Sequence, residues 1–173
     1  MVGPGIGKST FAAELFVYMK KQQFNVELVT EYAKDLVYEK QYDILKNDQL
    51  FVLANQNKRI QSIVESNEHI DYVIVDSPLL LSKIYAIINQ YPKDFISFGE
   101  FCVDLFCSYE NINLFLDRTN IPYNAEGRVQ KTIEEAEKID IAIKAELNYW
   151  KIPYTIIKDK TINAEFLNMI GIN

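Results

Sequence analysis

The residues with the clearest chemical potential stand at the start of the sequence, in "GPGIGKST" at positions 3–10. Gly3, Gly5 and Gly7 let the main chain curl so that several N–H groups face one small concavity. A helix predicted to begin within the segment adds its free N–H groups and the positive end of its dipole. Pro4, Ile6 and Thr10 complete the loop. Lys8 can reach terminal phosphate oxygens, and the Ser9 hydroxyl can ligate Mg²⁺. The signature G-x-x-x-x-G-K-[ST] is satisfied at Gly7, Lys8 and Ser9, whereas Val2 stands where its first glycine belongs. The alternative is a glycine-rich turn with a lysine beside it by chance.

Two other acids stand where a phosphate chemist would look. Asp76 closes the apolar run "YVIVD", read as a strand buried on both faces, and so lies at a carboxyl edge where open α/β sheets bind ligands. It is a candidate metal partner of Ser9, or a cap for the helix that follows. Its neighbour is Ser77, where a hydrolytic motor would place a water-orienting glutamate; phosphoryl transfer is therefore favoured over motor action. Glu31 ends the preceding strand and could orient or deprotonate an acceptor hydroxyl. Asp35, one helical turn on, is its rival, and either could simply cap a short helix.

Arg118 and Arg128 bracket "TNIPYNAEG", a segment punctuated by Pro122 and Gly127. A lid whose planar arginine forks clamp phosphate is one reading of residues 118–131, and a solvated loop is the other. Tyr123 could stack on a base or pack against the domain. "NQNKRIQ" at 55–61 puts Gln56 and Arg59 on one helical face, open between acceptor contact and a solvated surface. It is not the guanine signature N-K-x-D, because Arg59 and Ile60 fill the last two places and Ile60 stands where the Asp belongs.

The elements that must position these groups follow from periodicity. Apolar runs at 25–30, 72–76, 112–117 and 154–158 read as strands, and helical spacing fills the intervals, the pattern of a parallel α/β sheet. Ala12, Leu15, Phe16 and Met19 share a helix face. Pro78 suits a helical first turn. Ser97/Glu100 and Thr132/Glu135 are spaced as capping boxes. Ile133, Ala136, Ile139, Ile143, Leu147 and Trp150 recur at helical spacing behind the second.

The whole chain, 173 residues with 49% hydrophobic and 24% charged, suits one domain at 1–173. The sequence holds neither an apolar run long enough for a membrane span nor a leader pattern, so a cytoplasmic protein is expected. The net charge of -6 disfavours broad nucleic-acid binding, though not a local cationic pocket. Cys102 and Cys107 form no metal-ligand pattern and are expected as reduced core residues; His69, in a polar stretch, is expected at the surface.

"GPGIGKST", "VTEYAKDL", "VIVDSPLLL" and "DRTNIPYNAEGRVQKTIEEAEKID" together resemble P-loop kinases, in particular a phage and bacterial family of small ATP-binding proteins related to the nicotinamide-riboside-kinase domain of a bacterial NAD regulator. The resemblance implies a P-loop NTPase fold, an AAA-domain α/β architecture with helices on both faces of the sheet. It implies ATP and Mg²⁺ as cofactors and a nucleoside, nucleotide or related small molecule as acceptor. Lys8, Arg118 and Arg128 would then stabilise phosphate charge, Glu31 would position the acceptor, and Ser9 and Asp76 would hold the metal. A DNA or modified-base acceptor, and a nucleotide-binding or ATPase module without transfer, are the other readings. In such folds the strand before the loop is the centre of the sheet. Met1 and Val2 cannot supply it, so a missing strand, from a misassigned start or a truncated gene, is also expected.

Overall fold

The structure, a computed structural model, describes residues 1, 3–66, 68–89, 96–118 and 132–172. The elements run α1 (Lys8–Lys21), β1 (Val26–Val29), α2 (Tyr32–Tyr38), α3 (Tyr42–Asn47), α4 (Gln49–Val64), β2 (Tyr72–Val75), α5 (Leu80–Ile88), α6 (Ile96–Cys107), β3 (Leu114–Leu116), α7 (Ile133–Tyr149), β4 (Thr155–Ile157) and α8 (Ala164–Met169). Among the described residues no helix is long and apolar enough to cross a membrane.

The strands are parallel and flanked by helices, but they form two separate pairs. β1 pairs with β2, Val29 opposite Val75, and β3 pairs with β4, Leu116 opposite Ile157. The break lies between β2 and β3. Met1 takes part in its repair: its amine donates to the Leu114 carbonyl, and the Leu116 N–H donates to the Met1 carbonyl at 3.3 Å. That is one rung of a parallel ladder. β2, expected to be buried on both faces, is only half-buried along its whole length, because among the described residues no strand pairs with the edge away from β1.

Helix faces pack as their spacing requires. Phe11, Ala12, Leu15 and Met19 of α1 are buried, and the helix lies against β1 and β2. Its last turn carries Lys20 and Lys21, which suit the negative end of the dipole. α4 packs on both strands and on α5, which in turn meets α6 and α7. Thr132 caps α7, its Oγ1 accepting from the Glu135 N–H at 3.2 Å, as the local spacing predicts. The other capping-box expectation fails. α6 already begins at Ile96, so Ser97 lies inside the helix. Pro78 also falls outside its helix. It precedes Leu79 and α5 in a tight turn in which the Leu81 N–H reaches the Pro78 carbonyl at 3.0 Å. α3 is a helix that the apolar pattern does not announce, since none of its residues is buried.

The cysteines divide. Cys102 is fully buried and Cys107 exposed, which corrects the expectation that both belong to the core. Five residues along a helix turn the side chain by about 140°, so only one of the two can face inward. Burial pushes the Cys102 thiol up to about 12. Its neutral form is thus favoured in the native state, and stability on its account falls as pH rises from the ordinary thiol range towards 12. In the native protein at pH 8, an alkylating reagent is expected to modify Cys107 within minutes and Cys102 only after denaturant is added. Mass spectrometry of the labelled protein reads this directly, and rapid native labelling of both would contradict the packing of α6. His69 is exposed and pairs with Asp71 at 2.9 Å.

Candidate phosphate-binding site

The loop at residues 3–7 is a curl whose shape depends on glycine at two kinds of position. Gly5 and Gly7 have φ of 86° and 84°, in the left-handed region that side chains resist. Gly7 is the residue from which α1 starts, and its carbonyl receives the first helical bond, from Phe11 at 2.9 Å. Gly3 is glycine for want of room. A Cβ there would stand 2.8 Å from the Ala136 carbonyl oxygen and 2.8 Å from Asp140 Oδ1. Ile6 is buried, and its carbonyl accepts from Lys160 Nζ at 2.9 Å. The loop is therefore held from outside by α7 and by the segment after β4, with Lys8, Ser9 and Thr10 following in the first turn of α1.

Ser9 and Asp76 meet. Ser9 Oγ donates to Asp76 Oδ2 at 2.6 Å, joining the start of α1 to the end of β2. The other carboxylate oxygen, Asp76 Oδ1, is buried without a hydrogen-bond partner. Lys34 of α2 joins them, its Nζ 2.5 Å from Ser9 Oγ and 3.8 Å from Asp76 Oδ2. The hydroxyl and the carboxylate with its buried lone oxygen are oxygen donors that suit a hard divalent cation with water and phosphate completing its shell, whereas the Lys34 ammonium is itself a cation and cannot ligate one.

Arg118 follows β3 and donates from Nε to Asp140 Oδ2 at 2.7 Å, while Asp140 Oδ1 accepts from the Gly3 N–H. One carboxylate on α7 thus orders both the loop and the arginine. The Arg118 Nη2 group is buried without a partner, so part of the fork remains to be satisfied. Lys160 feels the same surroundings: burial first, then the charge of Arg118, lowers its pKa from the ordinary lysine value. Arg128, and with it most of the segment 118–131 including Tyr123, lies outside the described residues.

Glu31 stands at the start of α2 in extended conformation and makes no capping bond with its side chain. Asp35, its rival, is paired with Arg59. Gln56 is buried. Its Oε1 accepts from the Tyr32 N–H at 2.7 Å and its Nε2 donates to the Thr30 carbonyl at 3.3 Å. The Arg59 guanidinium stacks over Tyr32, 5.0 Å from its centroid, and Tyr32 meets Phe51 at 6.0 Å. The polar centre of α4 is therefore a brace for the turn that carries Glu31, more than a solvated face. Sequence reasoning missed Lys34, Asp140 and Lys160. Asp140 alone had a signal: an acid embedded among the apolar positions of α7.

A family model described as an AAA domain matches residues 3–164. No curated protein matches the sequence. Among solved structures, a crystal structure of NadR protein in complex with NAD and AMP-PNP superposes with a TM-score of 0.68 at 18% identity, covering 98% of this chain and 46% of that one. Another, of NadR protein in complex with NR, gives a TM-score of 0.69 at 18% identity, with 98% and 48% covered. The chain spans about half the length of these NadR chains, and at this identity the likeness is one of fold, that of a P-loop NTPase.

Proposed function

The chain belongs to that AAA domain family, and on this premise we propose that it binds ATP–Mg²⁺ at residues 3–10 and transfers the γ-phosphoryl group to a nucleoside, nucleotide or similar small acceptor. The observation that carries the proposal is the meeting of Ser9 with Asp76 beside a glycine curl and a helix N-terminus. The NadR structures, one in complex with NAD and AMP-PNP and another in complex with NR, support nucleotide and nucleoside-type ligands for a fold of this kind.

In this reading the loop N–H groups cradle the phosphates, and Lys8 neutralises β and γ oxygens. Ser9 Oγ and the Asp76 carboxylate would hold the Mg²⁺, and the ion would offset phosphate charge. Lys34, hydrogen-bonded to Ser9, would give up that contact if Ser9 and Asp76 held a cation, because like charges repel. Glu31 accepts the proton of the acceptor hydroxyl or holds that hydroxyl in line. Arg118 offers its unsatisfied Nη2 to the transferring group, with Arg128 as its partner from the lid. The acidic balance of the chain, net charge -6, suits a small acceptor better than a DNA end.

The test is transfer from radiolabelled ATP to a panel of nucleosides and monophosphates, NR among them. A labelled product supports the reading; tight ATP binding with no product across the panel would select a binding module instead. A separate check of the metal pair needs no turnover. Asp76→Asn is expected to weaken Mg²⁺-dependent ATP binding about 10- to 100-fold in calorimetry, the usual scale for disturbing a metal's surroundings, while binding measured in EDTA changes little.

A further inference from the structure

The segment after β4 reaches back to the glycine loop and takes hold of one of its peptide units. Lys160 Nζ donates to the Ile6 carbonyl at 2.9 Å, across 154 positions of sequence. The lysine is itself held in place. Ile157, at the end of β4, is buried, and Ile162 packs against the same core. Between them Asp159 Oδ1 accepts from the Thr161 N–H at 2.9 Å, which closes a tight turn with Lys160 at its centre. Asn163 then caps α8, accepting from the Phe166 N–H at 2.8 Å, and the Phe166 ring meets Phe11 of α1 edge-on at 5.6 Å. The lysine's segment and the helix that the loop feeds thus share one body of packed side chains.

We infer that Lys160 is a positioning residue for phosphate binding: by holding the Ile6 carbonyl it keeps the Gly7 N–H directed at the phosphates. A trans peptide is planar, with its C=O and N–H pointing in opposite directions. A carbonyl drawn to Lys160 therefore turns the N–H of the same unit, that of Gly7, away from Lys160 and towards the inside of the curl. Position 7 does not secure this by itself. Its φ is 84°, and glycine tolerates either sign of φ, so the peptide can turn over without a steric barrier there. Turned over, it would aim a carbonyl oxygen at phosphate oxygens, and like partial charges repel. At the other end of the curl the Gly3 N–H is already taken by Asp140, which leaves the later part of the loop to supply the inward donors. The inference rests on the proposal that residues 3–10 hold the phosphates, and adds the distant group that sets their shape for it.

Calorimetric titration of the whole chain with ATP is the first measurement. Lys160→Met is expected to lower affinity about 10-fold, the effect of having the peptide correctly turned in about one molecule in ten. The loss is expected to persist in about 0.5 M NaCl, which screens exposed charge. A loss that vanishes in salt would make Lys160 a charge near the phosphates and nothing more, and would overturn the inference. Lys160→Gln, polar but shorter, is expected to match Lys160→Met, and a Gln variant that binds like the parent would overturn it too. The second measurement is NMR of the Gly7 amide with no nucleotide added. One sharp resonance is expected in the parent and a doubled or broadened one in Lys160→Met, while the Phe11 amide, bonded within α1, stays sharp in both; an unchanged Gly7 resonance would overturn the inference. A parent that takes up no ATP removes the phosphate reading and this inference together. A parent that binds ATP beside a Lys160→Met variant that binds it equally well removes the inference alone.

Discussion

Lys8→Ala is expected to lower phosphoryl transfer by about 10²- to 10³-fold, the scale seen when one preorganised donor to developing charge is removed. ATP affinity is expected to fall about 10- to 100-fold, since a hydrogen bond to a charged group contributes about 1.5–3 kcal/mol. The fold is expected to survive. Position 8 is the first residue of α1, and alanine is the residue a helix accepts most readily. Calorimetric titration with ATP and the radiolabel assay separate the two effects, and an unchanged Tm shows that neither arises from unfolding. A variant that binds and transfers like the parent would remove residues 3–10 from the chemistry and the kinase reading with them.

Gly3→Ala is expected to destabilise the protein by about 2 kcal/mol, within the range for forcing a methyl group into a packed place. For a chain of this size that is a fall in Tm of about 4–8 °C. The neighbour that blocks the new Cβ is a helix carbonyl, that of Ala136. It cannot swing aside as a flexible side chain would. The loop must lift from α7 instead, and it then loses the Gly3–Asp140 bond that also sets Arg118. Nucleotide affinity should fall with stability. Gly7→Ala provides the contrast. Nothing lies within 4 Å of its added Cβ, and only the φ of 84° resists, at about 1–2 kcal/mol. Thermal melts with and without ATP distinguish crowding at position 3 from backbone strain at position 7. If Gly3→Ala melts and binds like the parent, the close approach to α7 is not as described.

Much of this molecule is local enough to be legible in its sequence. The loop, its lysine and serine, the acid closing β2 and the cap at Thr132 all depend on residues within a few positions of one another. Hydrogen bonding across three residues, or a strand followed at once by a turn, obeys short-range geometry. The same reasoning misplaced the start of α6. Ser97 and Glu100 have capping spacing, yet spacing does not specify where a helix starts when residues before the box also take helical geometry. The two cysteines show the opposite case. Their separation along a helix, about 140° of turn, is enough to divide them.

What the sequence alone determined is the groups on offer: a glycine-rich curl of main chain, a cation, a hydroxyl and a carboxylate, and a parallel α/β order to carry them. What only the tertiary structure decided is which distant groups complete the site. Asp140 lies 137 residues from the Gly3 it holds, Lys160 lies 154 from Ile6, and Lys34 reaches Ser9 from another helix. The division of the strands into two pairs around one cavity belongs to the same class. Such contacts arise where the buried faces of separate helices and strands come to share one core, and no periodicity within a single segment encodes which partner that will be.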